Sequence, residues 1–170
     1  KRVNSDLVGK VVNIASRCAG FLRKKFANTL SDHCEEPALV QSFIAAGDDI
    51  AALYEAREFS RAMREIIALA DQANQYIDEK KPWVLAKEPG KENEVQAVCS
   101  VGINLFRALI TYLKPVLPVM AERSEAFLKI SLDWHLLESP LLGHELDDFK
   151  PLLQRVDPDN VSAMVEGEKS

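Results

Sequence analysis

Val3-Asn4-Ser5-Asp6-Leu7-Val8-Gly9-Lys10-Val11-Val12-Asn13-Ile14-Ala15-Ser16-Arg17-Cys18-Ala19-Gly20-Phe21 is the stretch that decides the fold class. Val3, Leu7, Val11, Ile14, Cys18 and Phe21 recur at steps of three and four. That spacing lays them along one face of a helix. The period continues through most of the chain. Pro37 suits the first turn of a second helix, which runs to about Tyr54 with Val40, Phe43, Ile44, Ile50 and Leu53 turned inward. A third starts near Glu58 and puts Phe59, Met63, Ile66, Ala70, Ala73 and Ile77 on one stripe. It must stop around Lys81, because Pro82 disfavours helical geometry in the residue before it.

Glu88-Pro89-Gly90-Lys91 is a loop. A fourth helix over Glu92 to Leu113 buries Val95, Val98, Val101, Leu105, Leu109 and Tyr112, and Pro115 and Pro118 open a fifth that ends near Lys129. No alternation long enough for a sheet appears, and no internal repeat. The expectation is an all-α fold: an antiparallel bundle of about five helices over residues 1–130, with sequential neighbours packed together. Residues 131–170 have another texture, punctuated by Trp134, Pro140, Gly143, Pro151 and Pro158. They predict an irregular tail closed by one short helix, capped by Asp157 and carrying Val161, Met164 and Val165. Leu141, Leu142, Leu152, Leu153 and Val156 are many apolar groups for a tail, so it must pack back on the bundle or face a partner.

A length of 170 residues at 47% hydrophobic content suffices for one well-cored domain. No run approaches the ~18 apolar residues of a membrane span, and no membrane partner is expected. Three cysteines, Cys18, Cys34 and Cys99, lack CxxC spacing, which argues against a disulfide framework or a zinc site. Cys18 lies on the apolar stripe and reads as a buried thiol. A reducing cytoplasm fits best. The net charge is −5, yet residues 1–25 hold seven basic side chains against the single acid Asp6. A basic end on an acidic body suits local contact with phosphate, or it merely solvates the first helix. The sequence starts at Lys1, without methionine and already helical in pattern, and reads as a piece of something longer.

Asn13 and Arg17 sit one turn apart on the shoulder of the first helix, with Lys10 and Lys24 on the same flank. Gly9, Ser16 and Gly20 adjoin them. A glycine costs about 1 kcal/mol in a helix interior, so two of them ask for a reason; close approach by another backbone, a neighbouring helix or an RNA strand, is one. Trp83 follows Pro82 just past a helix end, beside Lys80 and Lys81. There an indole can stack on a base, a contact worth about 1–3 kcal/mol, or fold back as an apolar plug. Asn74 and Asp78 form a further i, i+4 polar pair, expected to orient the Trp83 turn or to bond across to the first helix. An amide, a guanidinium and an indole are what splayed-out RNA bases need. His33, His135 and His144 lack ligand spacing and read as loop or surface residues. No glycine-rich phosphate loop, metal cluster or activated nucleophile appears. The expected catalytic residues, metal ligands and cofactors of this chain are none.

On these residues the chain resembles the C-terminal α-helical anticodon-binding domain of bacterial methionyl-tRNA synthetases. The likeness rests on Asn4-Ser5-Asp6-Leu7, Val12-Asn13-Ile14-Ala15-Ser16-Arg17, Arg57 through Ile66, Asn74 through Trp83, Gly102-Ile103-Asn104-Leu105-Phe106-Arg107 and Leu113-Lys114-Pro115-Val116-Leu117-Pro118. It covers essentially the whole length. The resemblance implies that Asn13, Arg17 and Trp83, helped by Pro82, meet the CAU anticodon of methionine tRNAs, with Lys10, Lys24, Lys80 and Lys81 as phosphate contacts. It also implies a parent methionine–tRNA ligase whose ATP, magnesium and zinc belong to a catalytic domain absent here. The tail would then pack towards that domain, and this piece would be inactive alone and a monomer. The competing expectation is a helical protein–protein adaptor, anchored by Trp83 and the basic first helix.

Overall fold

The computed structural model describes residues 2–149. Five long helices and one single-turn helix follow in order: α1 (Arg2–Phe26), α2 (Pro37–Glu55), α3 (Phe59–Lys80), α4 (Pro82–Leu85), α5 (Glu92–Leu113) and α6 (Pro118–Leu128). A 3-10 turn at Trp134–Leu136 opens the tail. The expected all-α bundle is therefore present. The closing helix expected at Asp157, with Val161, Met164 and Val165, lies outside the described residues, as do Leu152, Leu153 and Val156.

The centre is α5. Val95 and every residue from Ala97 to Leu113 are buried, so beyond its exposed first turn this helix has no solvent face, where the sequence predicted a single inward stripe. It is long and apolar enough to cross a membrane by composition, but it is enclosed by the other helices. Sequential neighbours meet at α2–α3, α4–α5 and α5–α6, but the most extensive packing is not sequential. Helix α1 lies chiefly along α5 and then against α3, while α2 packs on α5 and α3. The reason is local: Gly102 removes the Cβ that would collide with Cys18 Sγ, so α1 and α5 approach closely there. Cys18 and Cys99 are fully buried. The Cys99 thiol is pushed well above its ordinary ionisation range, first by its hydrogen bond with Cys18 and then by burial. Such a thiol is inert.

Further corrections are geometric. Phe59, placed on the inner stripe of α3 by its spacing, is 50% exposed, because it starts the helix at the bundle's rim and leans on Tyr54 instead, with ring centroids 6.0 Å apart. Phe21 is only half-buried, and Leu22 fills the core position beside it. Helix α6 starts at Pro118, with Pro115 in the preceding turn.

The described part of the tail lies against the bundle through polar clamps. Arg107 donates from Nη1 to the Ser139 carbonyl (2.9 Å) and from Nη2 to the Leu136 carbonyl (3.0 Å). Asn104 both accepts from the Leu141 amide (2.6 Å) and donates to its carbonyl (3.2 Å). Trp134 Nε1 donates to the Gly47 carbonyl at 3.2 Å; a Cβ on Gly47 would come within 2.9 Å of that nitrogen. His144, expected in a loop or at the surface, lies in a loop, half-buried and bonded to the Leu128 carbonyl at 2.6 Å. Leu146 is buried and Leu141 packs on the core, whereas Leu142 stays 50% exposed.

Candidate nucleic-acid interface

Helices α1 and α3 run parallel, because α2 carries the chain back between them. Their shared edge is polar. Lys10 pairs with Asp71 (2.6 Å), Asn13 Nδ2 donates to Asn74 Oδ1 (3.2 Å), and Arg17 Nη2 meets Asp78 Oδ1 (2.6 Å). Further on, Lys25 Nζ donates to the Ala86 carbonyl (3.0 Å). The three pairs between the helices are each separated by 61 residues in sequence. A constant offset is what two parallel helices in fixed register require. Asn74 adds a second anchor, donating to the carbonyls of Lys10 (3.2 Å) and Ala70 (3.1 Å).

At the end of α3 the pre-proline restriction takes effect. Lys81 is barred from right-handed helical geometry by Pro82 and adopts a left-handed conformation, φ 50° and ψ 64°. Its carbonyl then accepts from Val84 (2.9 Å) and Leu85 (3.1 Å), which starts the single turn of α4. Pro82 is buried. It shapes the turn from beneath, so any help it gives Trp83 comes through the geometry of that turn. Trp83 is 38% exposed and so is not an apolar plug. The Arg17 guanidinium lies over its ring, 4.9 Å from the centroid. Cations in that range are attracted by the indole face.

The structure thus brings Asn13, Arg17, Asn74, Asp78 and Trp83 to one edge. Asn13 is exposed and Arg17 half-buried. The expected phosphate contacts divide. Lys10 is held by Asp71, and Lys80 lies 3.8 Å from Glu36 and over the Tyr76 ring. Lys24 and Lys81 are exposed and make no ion pair among the described residues. At Gly9 and Gly20 an added Cβ meets nothing within 4 Å, so of the two explanations offered for them a neighbouring helix does not apply.

Sequence reading missed the pairing of Lys10 with Asp71 and of Lys25 with the Ala86 carbonyl. A signal for Asp71 was present, since Lys10, Asn13 and Arg17 share their i, i+3, i+7 spacing with Asp71, Asn74 and Asp78. Burial pushes the Tyr54 phenol up to about 12, and Tyr76 is raised too, first by burial and then by Glu36. Both stay neutral near pH 7. Among the described residues no group of His, Cys, Asp and Glu side chains is arranged to hold a metal ion.

A family model for the anticodon binding domain of methionyl tRNA ligase matches residues 29–161, well over half of the chain. The chain belongs to that family. Two solved structures give the same fold for this anticodon-binding domain. The apo form of Mycobacterium tuberculosis methionyl-tRNA synthetase superposes with a TM-score of 0.79 at 19% identity, over 92% of this chain and 34% of that one. The M. tuberculosis enzyme in complex with methionyl-adenylate gives a TM-score of 0.76 at 19% identity, covering 88% and 31%. The domain spans about a third of the length of these enzymes.

Proposed function

We propose that the α1–α3 edge and the Trp83 turn read the CAU anticodon of methionine tRNAs, as the recognition part of a longer cytoplasmic methionine–tRNA ligase. Attachment of methionine with ATP, magnesium and zinc belongs to the catalytic region of that enzyme, which this chain also contacts as its intramolecular partner. The domain by itself acts as a monomer and binds no membrane. The observation that carries the reading is the Arg17–Trp83 stack, in which Asp78 holds the guanidinium at 2.6 Å and the indole keeps 38% of its surface open.

Each group then has a task. Arg17 covers one side of the indole, so an unstacked base approaches the other and extends the stack. Asn13 has committed its amide nitrogen to Asn74, which leaves its carbonyl oxygen to accept from a base edge. An acceptor fixed in this way favours a base that offers an amino or imino donor and leaves a mismatched acceptor unpaired, which costs binding. Arg17 retains further N–H donors for a base edge or a phosphate. Asn74 and Asp78 position these two side chains and need not touch RNA.

The test is affinity for a methionine tRNA anticodon stem-loop against one with an altered anticodon, at fixed salt. Tighter binding of the CAU loop is expected, and Trp83→Ala should weaken it by about 1–3 kcal/mol, while His144→Ala leaves it unchanged. Equal affinity for both loops would remove the specificity claim.

A further inference from the structure

Helix α4 is a single turn whose four residues divide by position. Pro82 is buried and Leu85 packs against the core, whereas Trp83 and Val84 point outward, 38% and 42% exposed. The turn is fastened from below by Pro82, from the side by Lys25 on the Ala86 carbonyl, and from above by Arg17 on the indole. An exposed valine on so short a turn contributes little to the fold, since its surface stays in water. It follows Trp83 directly, so this one turn presents two consecutive apolar side chains to solvent. The rim is basic: Lys80 and Lys81 precede the turn, Lys87 follows it, and Lys24 neighbours the lysine that reaches it, against Glu79 and Glu88. Lys81 and Lys87 have no acidic partner among the described residues. Apolar faces joined by a polyanionic backbone complement two exposed apolar side chains with lysines around them.

We propose that Val84 is a second base-contacting side chain, so that the α4 turn seats two consecutive unpaired nucleotides of an RNA loop, one on Trp83 and one on Val84. This rests on the reading of Trp83 given above. Val84 acts through its apolar surface alone, and so adds affinity without adding to the salt dependence.

The experiment is a titration of the CAU anticodon stem-loop with the chain and its Val84→Thr and Val84→Ile variants, at several salt concentrations, with the melting temperature of each variant recorded. Threonine keeps the shape of valine and replaces a methyl by a hydroxyl. We expect Val84→Thr to weaken binding about three- to tenfold, with the salt slope and melting temperature unchanged, and Val84→Ile to bind as well as the parent or better. If Val84→Thr binds like the parent while Trp83→Ala loses affinity, the second seat is wrong and the anticodon reading stands. If Val84→Thr and Trp83→Ala both bind like the parent, the anticodon reading fails and takes the second seat with it.

Discussion

Against α5, helix α1 presents Leu7, Val11, Ile14, Cys18 and Leu22, all essentially without exposure. Against α3 the same helix presents Lys10, Asn13 and Arg17, paired but open to water. The first seam is dry and close, set by Gly102 under Cys18. The second is wet and ordered by charge. Burying an aliphatic side chain stabilises by about 1.5–3 kcal/mol, while an exposed ion pair contributes about 0.2–1 kcal/mol. One seam therefore holds the fold, and the other is free to hold a ligand. Substitutions on the two sides should separate cleanly.

The largest effect is expected at Gly102. Gly102→Ala drives a methyl into Cys18 Sγ inside a filled core, which should cost about 1–3 kcal/mol in denaturant melts. Cys18→Ala in the same chain should recover part of the loss, and a double-mutant cycle measures the coupling. Additive losses would mean that the two helices do not meet where described. Next comes Gly20, on the open flank of α1. Gly20→Ala should raise stability by about 0.5–1 kcal/mol, because alanine forms helix better and nothing obstructs its methyl; a fall in melting temperature would contradict the open geometry. Tyr76→Phe removes a buried hydroxyl that has no hydrogen-bond partner, and should leave stability unchanged or raise it by up to about 1 kcal/mol. The smallest effect belongs to the polar seam. Breaking Arg17–Asp78 with Asp78→Asn should change stability by less than about 1 kcal/mol, since the carboxylate is 63% exposed. A larger change in the chemical melt would show that this seam carries the fold after all.

Much of this was legible in the residues. The bounds of α5 follow from its loop and first-turn acids, and the break at Lys81 from Pro82. The matching i, i+3, i+7 triplets on α1 and α3 already pair cation with acid and amide with amide. Other features leave no periodic trace. Helix α4 is too short to show one. The total burial of α5 hides inside an ordinary stripe, because Ser100, Asn104 and Thr111 turn their polar atoms onto carbonyls or the tail. The tail clamps made by Arg107 and Asn104 end on backbone groups, whose identity no side chain announces. Burial lowers the basicity of Arg107, yet in sequence it looks like any surface arginine. Gly9 and Gly20 misled in the opposite sense: a neighbouring helix was one explanation of their cost, and none sits there.

The fixed 61-residue offset between α1 and α3 has one more effect. Were α1 to slide by a turn, Arg17 would come to face the Asn74 amide and Asp78 would confront the phenyl ring of Phe21. The rungs thus work as a vernier, in which weak contacts index one alignment of the two rods and exclude the next. What they calibrate is the spacing of a guanidinium from an indole carried on a different segment of chain.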